Sequence, residues 1–554
     1  ASGVSRRGFL GGTGAAAAAL AAGAVTLGDL ASPAPVAAAT ETPAQRRTSA
    51  ANVRINAANY WKAQPLVSHP NNGDEAAYPN RIGNFSKGLP HNSFGEVNPT
   101  AYQSMLTAAT TNTVADWNAV QLSPGGRTLT SPQSGMAFDL QGVDSHAIAV
   151  APPPALASKE QAGEIVEHYW MALLRDTNMD AFASSPVAAS ACADLTAFGA
   201  DFKGPKSGGA VTPQTLFRDT AIGCTTGPYF SQFFYLAAPF GSEFVDRRFW
   251  TAAPVNYVKT FANYLAVQNG FVPESMQFLG QRRYLINGRD IAAWLRVDVL
   301  FQAYWNAFLT MAQPPDNSDI GGGIGCPLNA TNPYNGNPTQ FGFATHGGPT
   351  IAGLLCEIAS RGLKATWHKK WQVHRRLRPE AMAGRIHVHQ IASPGRYNGA
   401  LHPSIFSSSV LAAVQSHNGG SLMLPQAFPE GSPTHPSYTA GHATVAGCCV
   451  TILKALFDTQ NTVIQNPLVP TSDGSALVPY VGAPLTVEGE LNKIASNVAT
   501  GRNIAGVHWR SDSFNSMRLG QAIAVSVLRD QKQLYNEGSA TYNFRGFDGE
   551  LIII

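Results

Sequence analysis

A run of cationic residues between positions 364 and 378 could bind an anion. Six Lys or Arg side chains fall in this run, which is typical of either a solvated basic helix face or an anion site. At 100° per residue, Arg378 returns to within about 20° of Trp371 on the apolar side of a helix, so it is expected to point inward. Lys370 lies eight residues earlier and flanks the same side, and Pro379 is expected to end the helix. Buried cations need an anionic partner, so Lys370 and Arg378 are candidate anion ligands.

Two histidines, His435 and His442, lie seven residues apart around a predicted helix start. The prolines before residue 437 predict that this helix begins between residues 437 and 439, so Gly441 and His442 fall in its first turn. There the backbone N–H groups lack acceptors within the helix and the helix dipole is positive, an arrangement that favours an oxyanion. A single histidine would more often be structural, whereas two histidines at such a helix start favour a role in chemistry.

Arg502 and His508 form a third candidate group near the C-terminus. They lie six residues apart, which puts them about 120° out of phase on a straight helix. The helix must therefore end or bend near Gly506 if both side chains are to converge. Asp512, one helical turn beyond His508, could accept a hydrogen bond from the second ring nitrogen and fix the tautomer, as metal-ligating histidines usually require. We expect Arg502 and His508 to line one anionic pocket with Lys370 and Arg378.

Helical periodicity dominates the chain beyond residue 50 and would position these segments. Apolar residues recur at helical spacing from Ile165 to Leu174 and from Ile291 to Phe308, the second stretch after a capping candidate at Asp290. Further helical patterns lie near residues 101–121, 349–377, 439–457, 487–500 and 512–530. The sequence predicts a mainly α fold in which residues 50–554 form a single domain.

The composition excludes several classes of protein. The 554 residues carry 38 Lys plus Arg against 35 Asp plus Glu, and the resulting net charge of +3 gives no electrostatic signature of a nucleic-acid binder. Charged residues make up 13% and hydrophobic residues 44%, which excludes a disordered chain and favours a large core. No uninterrupted apolar stretch reaches the roughly 18 residues that a membrane span needs. A globular enzyme acting on a small molecule is the expected class.

Taken in order, the three candidate groups resemble the active site of the vanadium-dependent haloperoxidases, which share a fold with the type 2 phosphatidic acid phosphatases. The family pattern is a Lys followed by an Arg-Pro, then Ser-Gly-His, then an Arg with a His six residues later. This chain is similar to that pattern between about residues 361 and 515. The step from Lys370 to Arg378 and the position of His435 resemble the algal bromoperoxidase branch. The resemblance implies a fold of paired four-helix bundles with long irregular loops.

The resemblance also implies a cofactor and residue roles. The cofactor is vanadate, with His508 as the axial ligand of the metal and Asp512 behind it. The other residues implied to hold vanadate are Lys370, Arg378, Gly441 and Arg502. His442 is implied to be the main acid–base residue, with His435 and Lys370 as further catalytic residues. Hydrogen peroxide and bromide or chloride would be co-substrates, and an electron-rich aromatic or terpenoid molecule would be halogenated.

One position departs from the family pattern, since Ala440 stands where the family has Ser. The missing hydroxyl would have donated to vanadate, and such a hydrogen bond contributes about 1.5–3 kcal/mol, so vanadate binding should be weakened or absent. This keeps an alternative open, because relatives in bacterial meroterpenoid pathways, such as those making napyradiomycins, catalyse an acid–base α-hydroxyketone rearrangement without vanadium. A phosphatase with His508 as nucleophile and His442 as leaving-group acid, or a non-enzymatic oxyanion-binding protein, are the remaining hypotheses.

Residues 1–45 resemble a bacterial twin-arginine export signal followed by a disordered leader. Arg6 and Arg7 precede an alanine-rich stretch, and a run of alanines at 37–39 provides small residues for cleavage. The apolar stretch is mostly Ala and Gly, which is too weakly hydrophobic for a stable membrane span. We therefore expect an exported protein that acts outside the cytoplasm, and we expect that it can form a homodimer.

Overall fold

The computed structural model describes residues 41–314, 323–537 and 540–554. The arginine pair and the alanine-rich stretch of the predicted export signal lie outside the described residues. The first helix, α1 (Pro43–Lys62), begins before the expected end of the disordered leader at residue 45. Thr42 caps this helix and forms a capping box with Gln45. Residues 43–45 are therefore helical, and the leader's expected boundary at residue 45 is corrected accordingly.

Helices account for most of the regular structure. After α1 they are α2 (Asp74–Ala77), α3 (Pro99–Thr111), α4 (Val114–Asn118), α5 (Lys159–Leu173), α6 (Pro186–Ala197), α7 (Phe261–Gln268), α8 (Gly288–Trp294), α9 (Gln302–Ala312), α10 (Gly348–His368), α11 (Pro379–His387), α12 (Val410–His417), α13 (Gly441–Leu456), α14 (Val487–Ile504) and α15 (Arg510–Lys532). The mainly α prediction is confirmed. Within the described ranges, no helix combines the length and the apolar composition that crossing a bilayer requires.

In the described residues the strands are short and pair antiparallel in two-stranded sheets. They are β1 (Pro239–Phe240) with β2 (Glu243–Phe244), β3 (Phe249–Ala252) with β4 (Phe278–Arg283), β5 (Leu468–Pro470) with β6 (Leu477–Pro479), and β7 (Asn543–Arg545) with β8 (Leu551–Ile553). In the first hairpin Pro239 pairs with Phe244 and Phe240 with Glu243. The strands add little to the mainly helical core, although Phe544 of β7 is buried in it and β7 contacts α13.

Four helices, α10, α13, α14 and α15, pack into the bundle that positions the candidate site. α13 contacts the other three, and every one of its residues except His442 is buried. Two glycines allow the closest approach, because a Cβ at Gly447 or Gly520 would overlap the backbone of the facing helix. The bundle therefore brings segments that are distant in the chain to one end of α13.

The helix predicted across residues 349–377 ends earlier than its pattern indicated. α10 stops at His368 and continues as one wide π-helical turn, Lys369–His374, after which Arg375 adopts φ +42°. The expectation that Pro379 ends a helix is wrong, since Pro379 is the first residue of α11. A proline lacks an N–H and fits the first helical position, where that donor has no partner in the helix.

The helix predicted from Ile291 to Phe308 is two helices, α8 and α9, joined by residues 295–301. Its cap is Asn287, whose side chain accepts from the backbone N–H of Asp290, so the capping candidate at Asp290 is corrected. The break places Asp298 in the connection between α8 and α9. This irregular connection takes part in the site described next.

Candidate active site

Arg378 lies immediately before α11 with 1% of its surface exposed. Its Nη2 donates to the carbonyl oxygen of His435 (2.8 Å) and its Nη1 to that of Val507 (2.5 Å), and Nη1 is 3.1 Å from Nε2 of His508. Burial, together with the charge of Arg502, lowers the pKa of Arg378 to about 9. The inward position expected from the sequence is present, although a chain reversal before α11 rather than a continuous helix produces it.

Lys370 reaches the same stretch of chain from the π-helical turn. Its Nζ donates to the carbonyl oxygens of Pro436 (2.7 Å) and Ser437 (2.9 Å) and lies 5.6 Å from the centre of the Trp367 ring. The side chain is fully buried, and burial together with the charge of Arg378 holds the pKa of Lys370 well below its usual range. Lys370 and Arg378 therefore converge on residues 435–437.

Arg502 approaches from the last turn of α14. Its Nη1 donates to the carbonyl oxygen of Leu295 (2.8 Å), and the guanidinium carbon lies 5.6 Å from the centre of the Phe428 ring. Among the described residues, its buried Nε has no hydrogen-bond partner. Burial lowers the pKa of Arg502 to about 10, although the carboxylates of Asp298 and Glu430 oppose that shift. An unpartnered buried donor of this kind is available to an anion.

His508 is oriented by Asp512, as the sequence led us to expect. Oδ2 of Asp512 lies 3.0 Å from Nδ1 of His508 and also accepts from the hydroxyl of Ser437, while Oδ1 accepts from Nη1 of Arg376 (2.6 Å). An ionised carboxylate only accepts, so Nδ1 carries the hydrogen and Nε2 keeps its lone pair. Burial and the charge of Arg378 lower the pKa of His508, which keeps the ring neutral. Nε2 is thus the nitrogen whose lone pair a ligand would use, and in this structure it faces Nη1 of Arg378 at 3.1 Å.

Sequence analysis missed Asp298, which is the partner of His442. Nε2 of His442 lies 3.0 Å from Oδ1 of Asp298, and the side chains are 16% and 5% exposed. Asp298 lies seven residues after Ile291, two helical turns on, and therefore on the apolar stripe of the predicted helix. A carboxylate on a buried stripe needs a partner, which is the signal that could have identified it.

His435 lies in the wall of the same site. Its Nδ1 is 2.9 Å from Nη2 of Arg378, and its ring centre is 4.8 Å from that of Trp367. Burial, with the charge of Lys370 next in size, lowers the pKa of His435 well below its usual range, so the ring is neutral. The structure therefore brings His435 to the cations, whereas His442 faces Asp298 instead.

Gly441 is the first residue of α13, so the helix starts two to four residues later than the expected 437–439. A Cβ at Gly441 would lie 3.3 Å from side-chain atoms of both Leu363 and Trp367, which explains the absence of a side chain. Ala440 precedes the helix and provides no side-chain cap, and its backbone N–H donates to Oγ of Ser516 (2.8 Å). The N–H groups of the first turn lack acceptors within the helix.

Three buried cations therefore meet near His508 without carboxylates of their own. Over the ranges that the structure describes, no Asp or Glu forms an ion pair with Lys370, Arg378 or Arg502, whereas the neighbouring Arg376 has two such partners. An unneutralised buried cation is costly, and three together also repel one another. An oxoanion would offset both costs, because guanidinium forks and an ammonium group match its oxygens. The arrangement suits a multiply charged tetrahedral oxoanion beside an unprotonated imidazole nitrogen.

Comparison with known proteins identifies relatives across almost the whole chain. Residues 362–537 match the model of the VCPO second helical-bundle domain. A vanadium-dependent bromoperoxidase of Ascophyllum nodosum is 34% identical over 493 residues, which cover 84% of this chain and 86% of the relative. That of Corallina officinalis is 31% identical over 612 residues and covers 92% of this chain and 98% of the relative.

A solved structure shares the fold. The second vanadate-dependent bromoperoxidase of Ascophyllum nodosum, described as a homohexamer, superposes with a TM-score of 0.86 at 31% identity. The superposition covers 97% of this chain and 94% of that protein. The helical fold and the sequence identity agree, and the chain belongs to the vanadium haloperoxidase family of oxidoreductases.

Proposed function

We propose that this protein uses bound vanadate to oxidise a halide with hydrogen peroxide and to halogenate an electron-rich organic acceptor. In the overall reaction a hydrogen of the acceptor is replaced by halogen, hydrogen peroxide is reduced to two molecules of water, and one proton is consumed together with the halide ion. The observation that carries the proposal is the cluster of Lys370, Arg378 and Arg502 around His508, buried and without carboxylate partners.

The donor set fits vanadate. Lys370, Arg378, Arg502 and the backbone N–H of Gly441 would hold its oxygens, and Nε2 of His508 would be its nitrogen ligand. When bound there, vanadate supplies a Lewis-acidic centre that activates peroxide for two-electron oxidation of the halide. The Nε of Arg502, which has no partner among the described residues, would be free to donate to one of these oxygens.

His442 and Asp298 would move protons at the mouth of the site. Asp298 accepts from Nε2 of His442, which orients the ring. The side chain of His442 is 16% exposed, so protons can exchange with solvent. His442 would take a proton from incoming peroxide and return it to the departing water. His435 stays neutral beside Arg378 and would line the path of the halide.

The proposal also covers the organic halogen acceptor, the compartment in which the protein acts and its oligomeric state. The acceptor would be an electron-rich aromatic or terpenoid molecule, since such carbons react readily with an oxidised halogen. The twin-arginine pattern supports export to act outside the cytoplasm. A homodimer or a larger assembly of identical subunits is proposed, and the homohexameric bromoperoxidase that shares the fold supports self-association.

Bromide oxidation by the purified protein tests the proposal. The protein would be stripped of oxoanions, titrated with orthovanadate, and given bromide and hydrogen peroxide, with tribromide formation followed optically. We expect activity that saturates with vanadate and is lost in Arg502→Met, which removes one of the three cations. Bromide oxidation that is absent at every vanadate concentration would contradict the proposal.

A second candidate function follows from Ala440, which lacks the hydroxyl of the family pattern. An acid–base α-hydroxyketone rearrangement needs a proton-transfer residue and an oxyanion pocket, and His442 with the buried cations could supply both without vanadium. Incubation with a hydroxynaphthoquinone-type ketone and a chelator, with neither vanadate nor peroxide, separates the two functions. Turnover under these conditions would favour the rearrangement.

A further inference from the structure

The connection between α8 and α9 exposes apolar side chains on both sides of Asp298. Val297 is 71% exposed and Val299 is 55% exposed, whereas the side chain of Asp298 is 5% exposed and contacts His442. Two exposed β-branched residues contribute little to the core. They place exposed apolar side chains immediately before and after Asp298 in the chain, and the side chain of its partner His442 is 16% exposed.

Aromatic residues follow the two valines along the chain and contact the β1–β2 hairpin. The ring of Phe301 lies 6.4 Å from that of Trp305, and Trp305 lies 6.4 Å from Phe240, both in edge-to-face geometry. Phe240 and Phe244 belong to the β1–β2 hairpin and are 51% and 55% exposed. We call this surface the acceptor shelf, and its six residues are Phe240, Phe244, Val297, Val299, Phe301 and Trp305.

The shelf is held rigidly at one edge. Arg296, next to Val297, forms a two-pronged ion pair with Glu430, with Nε to Oε1 at 2.8 Å and Nη2 to Oε2 at 3.1 Å. On the other side of Arg296, the carbonyl oxygen of Leu295 accepts from Arg502 of the anion site. The segment that carries the two valines is therefore fixed to the cationic pocket, and a rigid surface loses little entropy when a ligand binds.

The size of the shelf fits a small molecule better than a protein. An aromatic side chain has about 150–250 Å² of surface, so the exposed parts of the shelf amount to roughly 300–400 Å². A stable protein interface buries about 800 Å² on each partner. A ring system of one to three rings would cover most of the shelf.

We propose that the acceptor shelf binds the organic halogen acceptor and selects apolar aromatic or isoprenoid molecules over small polar ones. The inference rests on the proposed haloperoxidase function, which supplies the oxidised halogen at the adjoining site. A molecule bound on Val297 and Val299 would lie close to Asp298 and its partner His442, where the oxidised halogen would be supplied. Polar acceptors gain nothing from the shelf and react only as they diffuse past it.

The double variant Val297→Ser/Val299→Ser tests the proposal. The matched control is Val114→Ser/Val481→Ser, which changes two valines outside the shelf that are 62% and 93% exposed. Binding of 2-naphthol is measured by equilibrium dialysis without peroxide, and bromination kinetics are measured with 2-naphthol and with barbituric acid. Loss of apolar contact should raise the Kd and the KM for 2-naphthol about three- to tenfold. The KM for barbituric acid and the rate of tribromide formation should equal those of the control.

Unchanged 2-naphthol binding in the shelf variant would overturn the proposal, with or without a change in oligomeric state. A shift to smaller assemblies in sedimentation velocity, with 2-naphthol binding intact, would assign the shelf to contacts between copies of the chain instead. The binding measurement does not depend on halide oxidation. Failure of the haloperoxidase function and failure of the shelf are therefore distinguishable.

Discussion

Arg376 and Arg378 lie two residues apart and are both 1% exposed, yet their surroundings are opposite. Arg376 pairs with Glu164 (2.8 Å) and Asp512 (2.6 Å), and although burial acts against it, these carboxylates raise the pKa of its guanidinium. Arg378 donates only to backbone carbonyls and histidine nitrogens, and burial lowers its pKa to about 9. Arg376 belongs to a neutralised region that holds the fold, whereas Arg378 belongs to a cationic region that needs a ligand.

The two regions meet at Asp512. This carboxylate neutralises Arg376 on one side and accepts from the ring of His508 on the other. The neutralised region therefore sets the orientation of the imidazole that faces the cationic pocket, as a second layer of hydrogen bonds commonly does for metal ligands. Changes in the cationic region should cost binding and activity, and changes in the neutralised region should cost stability.

The largest effect is expected for His442→Ala. General acid–base catalysis contributes roughly 10²- to 10⁴-fold, so halide oxidation should fall by about that factor. The side chain is partly exposed beside Asp298, and the melting temperature should therefore stay close to that of the wild type. Steady-state kinetics and thermal unfolding measure both quantities. The exposed His146→Ala is the control, and wild-type turnover in His442→Ala would refute its assigned role.

The two arginines can be compared directly through Arg376→Met and Arg378→Met. Removal of Arg376 leaves the carboxylates of Glu164 and Asp512 buried and unpaired, which should lower the free energy of unfolding by about 3–5 kcal/mol. Removal of Arg378 leaves only carbonyl and imidazole acceptors, so the loss should be about 1–3 kcal/mol. Urea unfolding measures both. Equal losses in the free energy of unfolding would contradict the distinction between the two arginines, because Arg378 would then stabilise the fold as much as Arg376 does.

Ala440→Ser should strengthen vanadate binding in the cationic region. A hydroxyl that donates to a bound oxoanion contributes about 1.5–3 kcal/mol, which corresponds to about ten- to a hundredfold tighter vanadate binding. The same serine can cap α13, which has no side-chain cap, and raise stability by about 1 kcal/mol. Calorimetric titration and thermal unfolding separate the two effects, and Ala440→Gly serves as the variant without a hydroxyl. Equal vanadate affinity in all three proteins would show that position 440 does not contact the anion.

The smallest expected effect is the pH dependence of oxoanion binding that Lys370 contributes. Burial lowers the pKa of Lys370, so its ammonium loses its proton at a lower pH than a surface lysine does. A bound oxoanion stabilises the ammonium and raises that pKa, so binding takes up a proton and weakens as pH rises above the pKa of the free protein. Lys370→Gln removes this contribution, which amounts to at most about one log unit of affinity per pH unit. Calorimetry in buffers of different ionisation enthalpy measures proton uptake, and equal uptake in both proteins would contradict the prediction.

Residue spacing alone was sufficient to predict contacts that stay within one segment. The bend at Gly506 is present with φ +87°, and Asp512 contacts His508 as its position one turn later indicated. Arg378 points inward as expected, although the periodicity argument assumed a continuous helix where the chain reverses at Arg375. Local patterns predict neighbours three to six residues apart because the backbone fixes those distances.

Contacts between segments could not be predicted in this way. The pairing of His442 with Asp298 joins positions 144 residues apart and depends on the break between α8 and α9, which helical periodicity concealed. Likewise, Lys370 and Arg378 are both held by the carbonyl groups of residues 435–437, a contact that no spacing encodes. The sequence does not distinguish the neutralised region from the cationic region. Arg376 and Arg378 are the same residue type two positions apart, and only the folded chain brings carboxylates to Arg376 and none to Arg378 among the described residues.

Calorimetric titration of the oxoanion-free protein with orthovanadate tests the central claim most directly, with Arg378→Met and Arg376→Met titrated in parallel. The cationic pocket should give saturable binding of one vanadate per chain in the wild type, and Arg378→Met should weaken it by about ten- to a hundredfold. Folded Arg376→Met should still bind vanadate more tightly than Arg378→Met does. Absence of vanadate binding to the wild type, or equal affinity in Arg378→Met, would contradict the assignment of Lys370, Arg378, Arg502 and His508 to an oxoanion site.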